Sequence, residues 1–319
     1  MKFSTTVNIP APSFSIQPME EMLFVGSCFA DGIGRRFEEE KFKVTVNPFG
    51  TMYNPASVLH TLQRLDTIPR IVFLTLGTNH VYILKETGEI VDNCQKRPAR
   101  LFEERELSVD ECADYLAQCV ATLQAKRPDV QVVFTVSPIR YAKYGFHGSQ
   151  LSKATLLLAI HKILLQDINT SKTTPETIVQ TPKLPNSQTP KLPDSQTNTS
   201  KTTPETIVQT PKLPNSQTPL SYFPAYEIVL DELRDYRFYS PDMLHPSSQT
   251  VEYIFERLTE SYLSPEALHF IEEWHPIKEA LAHRPIHPES NEYQQFLAKT
   301  KEKIQQLTLK YPGLSVVSP

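Results

Sequence analysis

Two adjacent nucleophiles, Ser27 and Cys28, directly follow the apolar run Met22-Leu23-Phe24-Val25 and Gly26. A short apolar run reads as a buried strand, and Asp31–Glu40 reads as a helix. Both side chains therefore sit where a strand hands over to a helix. In open α/β sheets, ligands bind outside the carboxyl ends of the strands. Helix N-terminal amides there stabilise an anion and depress a thiol pKa. More than 200 residues later, Pro241-Asp242-Met243-Leu244-His245-Pro246 supplies an Asp and a His three apart. Covalent ester cleavage needs a nucleophile, a base, a group that orients the base, and donors for the oxyanion. His245 is the natural base, because imidazole titrates near neutrality. Asp242 can accept from its Nδ1–H. Gly50 can present a backbone N–H close to substrate, Asn79 within Gly77-Thr78-Asn79 can donate from its amide, and the nucleophile's own N–H completes the set. His80, beside Asn79, can contact substrate.

Each of these residues also has a plainer reading. Cys28 can be a small core residue, and Ser27 only a helix N-cap. Gly50 can serve a turn and Asn79 a loop. Asp242 can cap a short helix, His245 can be structural, and His80 can pack as a strand residue. Trp274 and His275, on a late helix, either line a lid or pack in the core.

The elements that must position these groups alternate along the chain. Met22–Val25, Phe42–Val46, Ile71–Leu76, Val130–Val136 and Leu220–Phe223 read as strands. Between and after them, Asp31–Glu40, Pro55–Leu65 (with Asn54 as N-cap), Ser108–Ala125, Leu151–Leu165 and Tyr226–Arg234 read as helices. Ser108 followed by Glu111 is a capping box. His80–Leu84 and Glu89–Asp92 read as a hairpin. Helices near Gln249–Leu263, Pro265–Ala282 and Glu289–Tyr311 close the chain. Strands alternating with helices predict a doubly wound α/β fold, a parallel sheet covered on both faces, with additional C-terminal helices.

One stretch stands apart. Asn169–Pro190 is repeated without change at Asn198–Pro219, a period of 29 residues. Asn169–Pro219 holds nine of the chain's 27 prolines and no aromatic residue, so it cannot build a core. It reads as a disordered, Pro/Thr/Ser-rich insertion in a surface loop or a docking tether, which leaves residues 1–168 and 220–319 as a single domain. The whole chain has 319 residues, 39% hydrophobic content and a net charge of −4, and its mean hydropathy is −0.33. No basic patch points to nucleic acid, and no run is long enough for a membrane span. The four cysteines, Cys28, Cys94, Cys112 and Cys119, show no C-x-x-C spacing, so neither a metal site nor a cofactor is expected. No signal peptide is evident at the N-terminus. The expectation is a soluble cytoplasmic protein with reduced thiols and no nucleic-acid or membrane partner. The oligomeric state is left open.

The motif Gly26-Ser27-Cys28-Phe29-Ala30 resembles that of the GSCFA family, which is grouped with the SGNH (GDSL-like) hydrolases. The resemblance runs from about Phe24 to Phe296. It includes Asn47-Pro48-Phe49-Gly50, Thr75-Leu76-Gly77-Thr78, Thr135-Val136-Ser137-Pro138, Tyr222-Phe223-Pro224, the run from Asp231 to Tyr239, and Asp242-Met243-Leu244-His245-Pro246-Ser247. It implies a flavodoxin-like sheet and an ester- or acyl-handling site. It also implies a His at position 95, where Gln95 stands, a His where Tyr141 stands, and Ala-Trp where Asn79-His80 stands. Gly77-Thr78-Asn79 is similar to the Gly-x-Asn of the wider SGNH group. Aligned on a Gly-Asp-Ser pattern without a gap, Cys28 takes the serine position; the serine of the SGNH name points instead to Ser27.

Three functions follow. The first is an acyl ester hydrolase or O-acyltransferase acting on a small ester, such as an O-acetylated carbohydrate, through a Cys/Ser-His-Asp site. The second is a non-catalytic binding or scaffold protein with a degenerate pocket. The third is a Cys28-dependent thioesterase or thiol redox enzyme.

Overall fold

The computed structural model describes residues 4–92, 97–171 and 219–316. Cys94, Gln95 and nearly all of the repeated stretch lie outside the described residues, together with the expectations placed on them. In chain order the elements are β1 (Glu21–Gly26), α1 (Cys28–Glu39), β2 (Lys43–Val46), α2 (Pro55–Arg64), β3 (Ile71–Leu76), β4 (His80–Leu84), β5 (Ile90–Val91), β6 (Phe102–Glu106), α3 (Val109–Lys126), β7 (Gln131–Val136) and α4 (Gly145–Ser171). After the repeats come β8 (Leu220–Tyr222), α5 (Ala225–Glu227), α6 (Ser248–Tyr262), α7 (Pro265–Ala282) and α8 (Asn291–Lys310).

Five strands form a parallel sheet in the order β2-β1-β3-β7-β8. Counted along the parallel strands alone, this is the flavodoxin-like order 2-1-3-4-5. Side chains alternate across a strand, and here that period divides the core. Leu23, Val25, Val72, Leu74, Val132 and Phe134 pack on one face with α2, α3 and α4. Met22, Phe24, Ile71, Phe73 and Val133 pack on the other with α1, α6 and α7. Phe24 and Phe73 stack with centroids 4.4 Å apart. Each fully buried side chain of this size contributes about 1.5–3 kcal/mol of transfer free energy, so the two faces anchor the sheet firmly.

Several expected boundaries shift, each for a local reason. The first helix begins at Cys28, because Ser27 caps it with its Oγ accepting from Phe29 N–H. Asn54 and the Ser108/Glu111 box cap α2 and α3 as the sequence indicates. The hairpin gains a third strand, β6, giving the order β5-β4-β6. Its sequence Phe-Glu-Glu-Arg-Glu is almost wholly exposed, so it carries none of the apolar alternation that marks a strand. Helix α4 starts at Gly145 rather than Leu151. The helix expected over Tyr226–Arg234 is one α-turn followed by a π-helical stretch, Ile228–Leu233, that ends with Arg234 in the left-handed region.

Candidate functional site

Parallel pairing brings the carboxyl ends of β1, β3 and β7 side by side. Gly26 is level with Thr75, and Thr75 with Thr135. Ser27 N–H donates to Thr75 O at 3.1 Å, and Ser137 N–H to Leu76 O at 2.8 Å. The turn at Gly26 admits only glycine. Its φ is +145°, and a Cβ there would stand 2.0 Å from Thr75 O. Asn47, after β2, clamps this turn. Its Oδ1 accepts from Gly26 N–H and its Nδ2 donates to Asp31 Oδ1, both at 2.8 Å.

The two candidate nucleophiles are placed differently. Ser27 is completely buried and its hydroxyl accepts a capping bond. Cys28 is the first residue of α1 and is partly exposed. Its thiol pKa is raised, not depressed. Burial outweighs the lowering by its own and Phe29's backbone N–H groups, Asp31 adds to the rise, and Lys153 opposes it. The helix N-terminus acts in the expected direction but is the smaller effect.

The loop after β3 is held from behind. Gly77 and Thr78 N–H both donate to Tyr53 O at 2.8 Å. Asn79 is buried, and its Nδ2 donates to Leu107 O at 2.7 Å. Its backbone N–H donates to Ser152 Oγ at 3.0 Å. Gly50 N–H donates to Asn47 O at 2.8 Å, closing a turn with φ +92°. The N–H groups of Gly50, Gly77 and Thr78 are thus engaged within the protein, and Asn79 spends one amide hydrogen. His80 is buried and stacked on Tyr144, with ring centroids 3.6 Å apart. Burial lowers its pKa, against Glu106 and Glu104, which raise it.

Asp242 and His245 do form a pair. Asp242 Oδ2 lies 2.6 Å from His245 Nδ1, while its Oδ1 accepts from Leu244 and His245 N–H at 2.9 and 3.0 Å. Asp242 therefore closes a turn on the histidine rather than capping a helix. The two backbone bonds and the imidazole hold its pKa at about 2. Leu244 O accepts from Arg140 N–H at 3.0 Å, which fastens the loop to the segment after β7. β7 is two strands from β1, about 10 Å at ordinary strand spacing. No hydrogen bond joins His245 to Ser27 or Cys28 among the described residues; the loop ties His245 to the carboxyl end of β7, and Cys28 follows the carboxyl end of β1. Trp274 is buried in the core and donates to Glu39 O, whereas His275 is exposed beside Glu279.

One group was not anticipated. Lys153 on α4 is 1% exposed, and its Nζ donates to Gly77 O at 2.6 Å. It lies over the rings of Tyr141 and Tyr226 at 5.0 and 5.9 Å, and no carboxylate pairs with it among the described residues. Burial drives its pKa well below the ordinary lysine value; Arg140 adds to this, and Cys28 opposes it. The Tyr141 hydroxyl is buried against Gly77, where a Cβ would stand 2.2 Å away. Burial raises its pKa. A signal existed: Ser149, Ser152 and Lys153 recur at helical spacing within an apolar helix, on the face shared with Leu156 and Ile160. A cavity of about 300 Å³ adjoins these residues, lined by Tyr53, Tyr82, Tyr141 and Tyr144 with Thr78 and His80.

The described residues hold no cluster of ligating side chains suited to a metal ion. Among them, no helix is long and apolar enough to cross a membrane. The GSCFA family matches residues 21–70, 67–173 and 194–258, and the GSCFA domain protein, C-terminal domain, matches residues 274–318. No curated protein matches the sequence. Among solved structures, the chain is similar to an acetyl esterase with acetate ion, at 12% identity over 80% of this chain and 99% of that one, TM-score 0.39. It is similar to a carbohydrate esterase family 3 protein from Talaromyces cellulolyticus, at 11% identity over 80% and 99%, TM-score 0.37. It is also similar to a member of the lipolytic protein G-D-S-L family from Veillonella parvula, at 10% identity over 77% and 97%, TM-score 0.39.

Proposed function

The chain belongs to the GSCFA family, and we propose that it cleaves a small ester, or transfers its acyl group, through Cys28, His245 and Asp242. One observation carries the reading. The Asp242–His245 pair, 2.6 Å apart, sits on a loop tied by Leu244 O to Arg140 N–H, at the edge where Cys28 opens α1. Asp242 fixes Nδ1 as the donor, so Nε2 is the acceptor face. Cys28 is preferred to Ser27 as nucleophile because Ser27 is buried and spent on its cap.

In the first step the Cys28 thiol gives its proton to His245 Nε2 while sulfur bonds the ester carbonyl. The alcohol then leaves, taking that proton, and a thioester remains. Water, or an acceptor alcohol, attacks the thioester and passes its proton to His245; the acid or new ester departs and sulfur regains the proton. The raised thiol pKa makes the base necessary, since little thiolate forms unaided. The Cys28 N–H, an orphan donor of the first helical turn, and the second amide hydrogen of Asn79 are assigned to the oxyanion. The four-tyrosine cavity offers flat faces and hydroxyls of the kind a sugar ring uses, which supports an acylated carbohydrate as substrate.

The test is hydrolysis of 4-nitrophenyl acetate and a panel of acetylated sugars by the full chain and by Cys28→Ala. Turnover lost in Cys28→Ala supports the reading. No turnover of any ester by the wild type would favour a non-catalytic binding protein.

A further inference from the structure

The segment after β7 separates two cavities: Tyr141 lines the one described above, and Arg140 lines a second, of about 410 Å³. The second cavity carries two arginines, Arg140 and Arg234, and neither has a carboxylate within ion-pair distance among the described residues. Among the described residues, Arg140 makes one side-chain hydrogen bond, from a terminal nitrogen to Phe146 O at 3.3 Å, and its buried Nε has no partner. Asp235 also lines the cavity, but it faces Arg237 at 3.5 Å. The rest of the lining is apolar or aromatic, with Val229 and Leu230 alongside Tyr236, Tyr239 and Met243. Two of its residues are held in left-handed backbone, Arg234 at φ +48° and Met243 at φ +58°. Such conformations cost energy in non-glycine residues and gather at functional sites. Met243 belongs to the loop that bears His245.

We infer that this second cavity binds a carboxylate attached to an apolar arm, with Arg140 and Arg234 receiving the charge and the aromatic wall receiving the arm. Two guanidinium groups with no carboxylate partner among the described residues, beside an apolar wall, favour an anionic ligand with an apolar arm over its neutral counterpart, because guanidinium hydrogen-bonds carboxylate in a planar, bidentate fork. Resting on the reading of Cys28 and His245 as a hydrolytic site, the inference narrows the substrate to an ester whose acyl or alcohol part carries an acid group. A neutral acetyl ester would leave this cavity unfilled.

Binding can be measured without any catalysis, so its failure and that of the hydrolase reading are separable. The full chain is titrated calorimetrically with 4-phenylbutanoate and with the neutral 4-phenylbutanamide. Saturable binding of the acid but not the amide, weakened by added salt, is expected. The double variant Arg140→Gln/Arg234→Gln should weaken the acid by roughly tenfold or more, the scale of a charge-assisted hydrogen bond. Arg140→Lys/Arg234→Lys should recover only part of that loss, because lysine restores the charge but not the bidentate fork. The backbone bond from Arg140 to Leu244 persists in every variant. Equal binding of acid and amide by the wild type, no saturable binding of the acid, or undiminished binding in a folded double Gln variant would overturn the inference. If the double Gln variant fails to fold, the comparison of acid with amide on the wild type decides alone.

Discussion

Cys28 and His245 are separated by most of the chain, yet the chemistry proposed for them depends on a few short contacts. The thiol's raised pKa has a direct consequence: at neutral pH less thiolate is present than for an exposed cysteine. Alkylation of Cys28 by iodoacetamide, followed by peptide mass mapping, should be slow near pH 7 and accelerate toward and above about pH 9. A rate that plateaus below pH 7 would contradict this. Asp242→Asn should keep the fold but lower turnover by about 10²–10⁴, because the imidazole loses the acceptor that sets its tautomer. Steady-state kinetics beside an unchanged circular dichroism spectrum tests this. Ser27→Ala should retain the chemistry and cost about 1 kcal/mol of stability, the usual worth of an N-cap. At this scale the sequence was informative about type and spacing: the Asp242–His245 pair is visible as two residues three apart. The plainer reading of Gly50 as a turn residue was also available, and its N–H does close a turn on Asn47 three residues before it. The sequence could not show that Asn79 faces Leu107, because that partner lies 28 residues away.

The strand-to-helix turn and the face of α4 are the elements that build the site. Gly26→Ala should cost on the order of 3 kcal/mol or more, since a Cβ would enter Thr75 O at a φ that disfavours every other residue. Chemical denaturation measures it. Lys153→Met removes a buried cation that no carboxylate compensates. The variant should be more stable than wild type near neutral pH. The sign follows from the lowered pKa: lysine is deprotonated more readily folded than unfolded, so wild-type stability rises with pH up to about 10. The gap in melting temperature should therefore narrow between about pH 7 and pH 10. The same change should raise the Cys28 pKa further, because Lys153 lowers it. A Lys153→Met protein that is less stable than wild type at neutral pH would show that the lysine's bond to Gly77 O and its contacts with Tyr141 and Tyr226 outweigh the cost of burying it. Most of the sheet's strands and the capped helices were legible because their periods are regular and their caps local. β6 was not, being charged and exposed, and neither was the π-helical stretch after α5, which no pattern of apolar residues marks.

The molecule as a whole is built on a parallel sheet with the flavodoxin-like order 2-1-3-4-5. The alternation of strands and helices announced that architecture. The family resemblance implied the flavodoxin-like strand order; the register adds that the carboxyl ends of β1, β3 and β7 lie level with one another. The repeated stretch joins α4 to β8, and β8 enters the sheet beside Val132 at the start of β7. Its composition lacks the residues of a core, and loop closure costs little with length. Replacing residues 172–218 with a short Gly/Ser linker should leave the melting temperature and turnover of the chain nearly unchanged; a large fall in either would mean the repeats contribute to the fold or the site. The most direct test of the central claim is where the acyl group goes. A rapid acid quench of the full chain reacting with 4-nitrophenyl acetate, read by peptide mass spectrometry, should place acetyl on Cys28, with that label lost in His245→Ala. Acetyl on Ser27, or labelling of Cys28 that is indifferent to His245, would contradict the account.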